Sequence, residues 1–242
     1  MKAKVKKAVS IVLIAAVTAF VWIFLYSLSN HVSIGGESYS KKSTWLNIDA
    51  NEKDFTVKKL NKFTKLEHLT IDHINDEMLG EFGEFDNLKE LYIYYSKLSG
   101  SLSKLGEYQK LGVIAFHRST IDLKNFNSTA EYLFFDECKL TNIAALAECS
   151  SLLSMEFEST SVDDYIVPIK EGNNETKYAL KDSSVFEGFN SVKVLDFENI
   201  QIEDIAGILK MKELKVLKVS EDNISAEFIT QLKGNGIEVK FL

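Results

Sequence analysis

The stretch Leu214–Val219 reads Leu-Lys-Val-Leu-Lys-Val, and Ile224 follows it after four further residues. With Leu214 counted as position zero, apolar side chains stand at positions zero, three, five and ten. Side chains alternate along a β-strand, so positions three and five face one side and positions two, four and six face the other. The stretch therefore predicts a short strand with one buried and one exposed face.

Copies of this pattern recur along the chain, and position five is apolar in all of them. They open at Ser43, Leu66, Leu88, Leu111, Ala130, Leu152, Val192, Leu214 and Gly236. A single copy has too little apolar surface to form a core alone, so stacking of the copies must bury it. The repeat predicts one elongated domain in which each copy adds a strand to the same sheet.

One interval between copies is nearly twice as long as the others, and it leaves two interpretations of residues 163–191 open. A worn copy could open at Glu175, with Tyr178, Leu180 and Val185 at positions three, five and ten. Alternatively, the segment is a loop insertion within one repeat. The spacing alone does not separate the two.

The repeats resemble those of the leucine-rich-repeat family, and the later copies are similar to the 22-residue bacterial type of internalin-like proteins. Leu195–Phe197 with Ile200–Ile205, and Leu133–Phe135 with Cys138–Ile143, carry this resemblance. It implies an α/β solenoid: a right-handed arc with a parallel sheet on the concave face and short helices or turns on the convex face. The resemblance covers about residues 43–242. It predicts a scaffold, because such folds carry many unrelated functions.

Residues 1–29 have the composition of a membrane anchor. Four lysines precede Ala8–Tyr26, an apolar run that as a helix would be about 28 Å long, close to the thickness of a hydrocarbon core. Basic residues on the N-terminal side predict a cytoplasmic N-terminus and a single-pass cell-membrane protein with its repeats outside. A cleaved signal peptide ending near Ser27–Ser29 is the alternative. Residues 30–42 are expected to form a short polar linker to the repeats.

The charge balance bears on the class of partner. The full chain has a net charge of −7, and beyond residue 29 there remain 24 basic against 35 acidic residues, a net charge of −11. This excess of acid argues against binding nucleic acid or anionic lipid. A protein with a basic segment is the partner that such a charge favours.

Catalytic and metal-binding signals are weak. Cys138 and Cys149 fall at opposite ends of the predicted coil, which predicts two buried free thiols. No Cys/His spacing typical of zinc and no glycine-rich phosphate loop is present. His117 and Asp136 share position six of adjacent copies, so a His–carboxylate pair is expected, but Ser119 should point into the turn rather than beside it. We expect no enzyme activity, no cofactor and no metal.

Large aromatic and acidic side chains cluster at positions two, four and six of neighbouring copies, on the predicted exposed face. Val113 and Ala115 would form a floor of small residues between the aromatic side chains, with carboxylates around them. The predicted partner-binding residues are Tyr92, Tyr94, Val113, Ala115, His117, Tyr132, Phe134, Asp136, Glu156 and Glu158. Such a surface suits a lysine or arginine side chain, through cation–π attraction and ion pairing.

These observations predict a membrane-anchored, extracytoplasmic module that binds another protein through its concave face. A cell-wall or glycan binding module is one alternative, because aromatic platforms also stack on sugar rings. An architectural spacer without a ligand is another. A basic protein partner should weaken steeply with ionic strength, whereas a neutral glycan should not.

Overall fold

The computed structural model describes residues 30–170 and 176–242. Within these ranges no helix is long and apolar enough to cross a membrane. The predicted anchor, residues 1–29, lies outside the described residues.

An N-terminal hairpin stands where a linker was expected over residues 30–42. Strands β1 (His31–Ile34) and β2 (Glu37–Ser40) pair antiparallel. Val32 and Ile34 are buried in the core of the domain, and the ring of Tyr39 packs edge-on against Phe63. The linker prediction was wrong because the apolar residues in this polar segment alternate, which allows the hairpin to cover the first end of the stacked repeats.

Nine parallel strands form the main sheet, one from each copy of the repeat. In spatial order they are β3 (Trp45–Asp49), β4 (His68–Asp72), β5 (Glu90–Tyr94), β7 (Val113–His117), β9 (Tyr132–Asp136), β11 (Ser154–Glu158), β15 (Val194–Glu198), β17 (Val216–Val219) and β18 (Glu238–Phe241). Every pair of neighbours is parallel and in the register that the repeat predicts. The predicted parallel-sheet solenoid is confirmed.

A second sheet of seven short strands lies beyond the turns that follow β5, β7, β9, β11 and β15, and the sequence pattern did not predict it. Its strands are β6 (Lys97–Leu98), β8 (Thr120–Asp122), β10 (Lys139–Thr141), β12 (Ser161–Val162), β13 (Ile166–Lys170), β14 (Thr176–Leu180) and β16 (Ile200–Ile202). Most of these strands contain the residue of position ten, and its side chain is buried there. This burial explains why position ten is apolar.

Short helices and 3-10 turns complete the repeats, as the family resemblance implied. The α-helices are α1 (Val57–Leu60), α2 (Asp76–Gly80) and α3 (Ala226–Gly234). The 3-10 helices span Leu102–Glu107, Leu123–Asn125, Ile143–Glu148, Ser184–Gly188, Ile208–Lys210 and Glu221–Asn223. Each returns the chain to the start of the next strand.

A row of stacked phenylalanines runs through the core at position five. Phe116 stacks on Phe135 at 5.7 Å between ring centroids, Phe135 on Phe157 at 5.5 Å, and Phe157 on Phe197 at 5.6 Å. All four are fully buried. In the last, truncated copy Phe241 remains 48% exposed, because no further strand covers it.

Beside this row, position eight carries a ladder of buried polar side chains. The Ser119 hydroxyl accepts a hydrogen bond from the Ser96 amide, and the Thr160 hydroxyl accepts one from the Cys138 amide. The Cys138 thiol donates to the carbonyl of Phe116, and burial raises the pKa of this thiol to about 12. Cys138 and Cys149 are both free and buried, as predicted. The ladder satisfies backbone groups where the chain turns out of the main sheet.

The long interval is one repeat with a hairpin inserted into it. Strand β11 pairs directly with β15, which places Phe157 opposite Phe197 and leaves no room for a worn copy in the main sheet. The added residues form β13 and β14, which enter the second sheet as an antiparallel pair. Leu180 lies beside Ile202, in the place that Val162 would otherwise take. The loop-insertion interpretation is therefore the correct one.

Candidate functional site

The exposed side chains of the main sheet at positions two, four and six form one surface, which we call the open face. Strand register places its rows side by side: at position four the sequence of neighbours is Thr70, Tyr92, Ala115, Phe134, Glu156, Asp196 and Lys218. At position six it is Asp49, Asp72, Tyr94, His117, Asp136, Glu158 and Glu198. The predicted partner-binding residues lie together on this surface.

Aromatic rings occupy the middle of the open face and pack on one another. Tyr94 stacks on His117 with 4.3 Å between centroids and 5° between planes, and His117 lies 5.1 Å from Phe134. Tyr132 is 49% exposed, whereas Tyr92, Tyr94 and Phe134 are half-buried. Tyr94, His117 and Phe134 therefore form a continuous group of rings, and Tyr92 and Tyr132 stand two residues before Tyr94 and Phe134 on the same strands.

The small-residue floor is only partly accessible. Ala115 stands between Tyr92 and Phe134 in the position-four row and is 1% exposed. Val113, two residues earlier on the same strand, is half-buried. Ala115 therefore supports the rings from below, and the sequence-based expectation that it lines a surface floor requires this correction.

His117 and Asp136 form the predicted pair across adjacent strands. Nδ1 of His117 lies 3.1 Å from Oδ2 of Asp136, and both side chains are largely buried. The Ser119 hydroxyl donates to the carbonyl of His117 and accepts from the amide of Ser96. Because this hydroxyl is committed to the backbone, the described residues place no nucleophile beside the pair.

Carboxylates dominate the next part of the open face. Asp136, Glu158 and Glu198 are neighbours at position six, and Glu156 and Asp196 are neighbours at position four. Burial, then the negative charge of Asp196, raises the pKa of Glu156 above its ordinary value. Burial and the neighbouring charge of Asp136 likewise raise the pKa of Glu158. This part of the surface accumulates negative charge that the fold neutralises only in part.

Asp196 is the most deeply buried of these acids. It is 3% exposed, although the strand alternation predicts a solvent-facing position. Its Oδ2 lies 3.0 Å from Nζ of Lys218, whereas its buried Oδ1 has no hydrogen-bond partner among the described residues. The ion pair holds the pKa of Lys218 above its ordinary value. The open face therefore already holds one ammonium group against a buried carboxylate.

A further row, at position seven, was missed by the sequence reading. His73, Tyr95, Arg118 and Glu137 all adopt the left-handed backbone conformation, with φ between 48° and 59°. The rings of His73 and Tyr95 stack at 5.3 Å, and Arg118 donates to Tyr95 and to both carboxylate oxygens of Glu137. Non-glycine residues rarely adopt this conformation, so residue type gave no signal. The position itself, directly after each strand, was the only available cue.

Cavities border the repeats within the described residues. One of about 390 Å³ lies between the N-terminal hairpin and β3, beside Trp45 and Tyr39. Another, of about 340 Å³, lies between the inserted strand β14 and the turns after β11 and β15; Tyr178, Asn199, Gln201 and Asn223 line it. The described residues contain no cluster of three or more His, Cys, Asp or Glu arranged to hold a metal ion.

Solved structures with a similar arrangement are leucine-rich-repeat proteins. An internalin from Listeria monocytogenes is 17% identical with a TM-score of 0.50, over 86% of this chain and 63% of that one. Internalin C2 from the same organism is 14% identical with a TM-score of 0.41, over 78% and 84%. A leucine-rich-repeat protein from Leptospira interrogans is 17% identical with a TM-score of 0.42, over 81% and 53%.

No protein-family model and no curated protein sequence matches the chain. It spans less than two thirds of the length of the first internalin, and at 17% identity that likeness concerns the fold alone. Together with the parallel repeats described above, it shows that this chain has a leucine-rich-repeat fold.

Proposed function

We propose that this protein is a membrane-anchored, extracytoplasmic leucine-rich-repeat module that binds another protein through its open face. The observation that carries the proposal is the adjacency of an aromatic cluster and a carboxylate cluster on one sheet surface. Phe134 at the aromatic end is the direct neighbour of Glu156 at the acidic end. Clusters of large aromatic side chains at accessible positions are typical of interaction sites, because partner burial recovers their hydrophobic free energy.

Capture experiments with the full chain in detergent test this proposal. A partner isolated from an extract of the source cells should bind the Tyr132→Ala/Phe134→Ala variant at least about tenfold more weakly than wild type, as expected for hot-spot residues. Trp45→Ala is the matched control, because Trp45 is 60% exposed on the same face but four strands away from β9. Undiminished binding by the double variant would place the interface elsewhere.

The charge of the partner follows from that of the open face. Carboxylates at positions four and six favour a basic segment, and such an interaction should weaken strongly between about 50 and 500 mM salt because mobile ions screen it. Reversing Glu156 and Glu158 to lysine should slow association more than it speeds dissociation. An affinity independent of salt would argue against a basic partner.

The membrane location is proposed from the sequence of residues 1–29. Protease added to intact cells should degrade the repeat domain if it lies outside, and alkaline extraction should leave the chain in the membrane fraction if the anchor is retained. A chain released by alkali, and shortened by about 29 residues, would instead indicate the cleaved signal peptide.

Glycan binding is a second candidate, which the cavity beside β14 favours. The side chains of Asn199, Gln201 and Asn223 have no hydrogen-bond partner among the described residues, and Tyr178 adds a half-buried ring. Free carboxamides beside an aromatic ring suit sugar hydroxyl groups. Saccharide binding that is lost in Asn199→Ala/Gln201→Ala but kept in Tyr132→Ala/Phe134→Ala would support this candidate. An architectural spacer would bind neither class of ligand.

A further inference from the structure

We propose that the acidic part of the open face receives a basic α-helix that lies across the strands, rather than an extended basic segment. This inference rests on the proposed function and specifies the partner of the same surface. It follows from the spacing of the carboxylates, from their lack of partners within the fold and from the buried oxygen of Asp196.

The carboxylates form a ladder with a fixed spacing. Asp136, Glu158 and Glu198 occupy the same position on three adjacent strands, β9, β11 and β15. Hydrogen-bonded strands lie about 4.8 Å apart, so the three side chains start from points that span about 9.6 Å. The ladder runs perpendicular to the strands, and a ligand that follows it must cross them.

An α-helix matches this spacing, and an extended chain does not. Residues i, i+4 and i+7 lie on one face of a helix and span about 10.5 Å at 1.5 Å per residue. In an extended chain, residues on one side recur every second position, and three of them span about 13.6 Å. The helix differs from the ladder by about 1 Å, whereas the extended chain differs by about 4 Å. Three cations on one helical stripe can therefore meet three carboxylates at once.

Most carboxylate oxygens of this acidic surface are available to bind these cations. The carboxylates of Glu156, Glu158 and Glu198 form no hydrogen bond or ion pair with any described residue. In Asp136, one carboxylate oxygen already lies within hydrogen-bond distance of His117 Nδ1. Mutual repulsion between the acids persists in the free protein, and a cationic stripe would relieve it.

Asp196 provides an independent indication that a donor is missing. Its side chain is almost fully buried on the same face, between Glu156 and Lys218 in the position-four row. Its Oδ2 accepts a hydrogen bond from the Lys218 ammonium, and its Oδ1 is buried without a partner among the described residues. A buried carboxylate oxygen is normally hydrogen-bonded, because leaving it unsatisfied costs the full desolvation penalty. A guanidinium group entering beside Glu156 would supply the missing donor after a small movement of the Lys218 side chain.

The neighbouring aromatic cluster defines the other end of the helix. In the position-six row, which the ladder continues, His117 lies one strand before Asp136, and Tyr94 lies two strands before it. A helix whose cations follow the ladder would place its preceding turn over these rings. The fitting partner therefore has apolar residues for about one or two turns, followed by cations at i, i+4 and i+7 on the same stripe.

Synthetic peptides test the geometry directly with the full chain. Three probes of the same length carry three arginines each: an alanine-rich helix with arginines at i, i+4 and i+7, the same composition with arginines distributed around the helix, and an extended threonine-rich peptide with arginines at i, i+2 and i+4. Fluorescence anisotropy at low salt gives the affinities. The striped helix should bind at least about tenfold more tightly than either other probe, the scale of one well-placed charge pair.

Variants of the ladder complete the test. Glu158→Gln/Glu198→Gln should weaken the striped helix at least about tenfold, whereas Glu213→Gln/Glu221→Gln, which removes the same charge elsewhere on the exposed surface, should not. Thermal unfolding of both variants shows that the fold is retained.

The outcomes separate the inference from the function on which it rests. Equal binding of the striped and extended probes, with equal loss in the ladder variant, overturns the helix but leaves protein binding by the acidic face intact. If the affinity for the striped helix is unchanged in Glu158→Gln/Glu198→Gln, the carboxylate ladder is not the binding site. The proposed function is tested separately: it fails if the captured partner binds Tyr132→Ala/Phe134→Ala as tightly as wild type.

Discussion

Phe135 and Phe134 are consecutive residues of strand β9, yet they belong to surfaces governed by different constraints. Phe135 is fully buried and stacks between Phe116 and Phe157, in a row where each strand supplies one ring. Phe134 is half-buried on the open face, with Ala115 on one side and Glu156 on the other. The inner face repeats because every copy must fill the same space, whereas the open face varies because packing between the copies does not confine its side chains in this way.

The largest expected difference between the two faces is in stability. Phe157→Ala and Phe197→Ala should each lower the free energy of unfolding by about 3–5 kcal/mol, because each removes a fully buried ring and leaves a cavity. Phe134→Ala, on the opposite face, should lower it by about 1 kcal/mol or less. Urea unfolding measures all three. Equal losses would mean that the two faces have been assigned incorrectly.

The repeat pattern accounts for the inner face well, and the reason is physical. Positions three and five must be apolar in every copy, so the place of the main strands could be predicted: strand β17, Val216–Val219, lies within the stretch Leu214–Val219. Strands β13 and β14 escaped prediction because they enter the second sheet without disturbing this phase. Residues 30–42 escaped it because the alternation of Val32 and Ile34 is too short to stand out in a polar segment.

For the open face, the sequence predicted which residues are neighbours, but not how deeply each side chain is buried. Register and alternation correctly placed His117 beside Asp136 and Phe134 beside Glu156. They did not show how deeply each side chain lies, because this depends on the size of the residues in the adjacent copies. Asp196 is buried for that reason, although it occupies a position that is exposed elsewhere.

An intermediate effect on stability is expected at the buried polar side chains of position eight. Thr160→Val should lower the free energy of unfolding by about 1–3 kcal/mol, because it keeps the shape but leaves the amide of Cys138 without its acceptor. Thr70→Val is the matched control: Thr70 stands on the open face, and its hydroxyl has no partner among the described residues. Thermal or urea unfolding distinguishes them. Similar losses at both sites would show that the Thr160 hydrogen bond contributes little.

A smaller effect is expected within the aromatic cluster. The sequence predicts that Tyr94→Ala is nearly neutral, since position six faces solvent. The observed stacking of Tyr94 on His117 raises the expected loss to about 0.5–1.5 kcal/mol. Tyr94→Phe keeps the ring and should be close to wild type in urea unfolding. A loss in Tyr94→Phe as large as in Tyr94→Ala would assign the effect to the hydroxyl rather than to stacking.

The smallest effect, and the one of opposite sign, is expected at the carboxylates. Burial and neighbouring acids raise the pKa values of Glu156 and Glu158, so the fold disfavours their charged forms. As the pH falls through these raised pKa values, the folded state binds protons before the unfolded chain does, and the contribution of the two groups to stability increases. Above these raised pKa values both carboxylates are charged and their destabilising effect is fully present. Glu156→Gln/Glu158→Gln should therefore raise the free energy of unfolding slightly at pH 7, by up to about 0.5 kcal/mol, the usual range for exposed sites.

This gain should disappear near pH 4, where protonation of the wild-type carboxylates removes the same repulsion. Glu213→Gln, at an exposed acid away from the open face, should show neither effect in the same melting experiments. A double variant that is less stable than wild type at pH 7 would mean that these carboxylates stabilise the fold, and their presence would then need no partner. A more stable variant that loses its affinity for basic peptides would mean the reverse: the fold retains a destabilising charge cluster because binding depends on it.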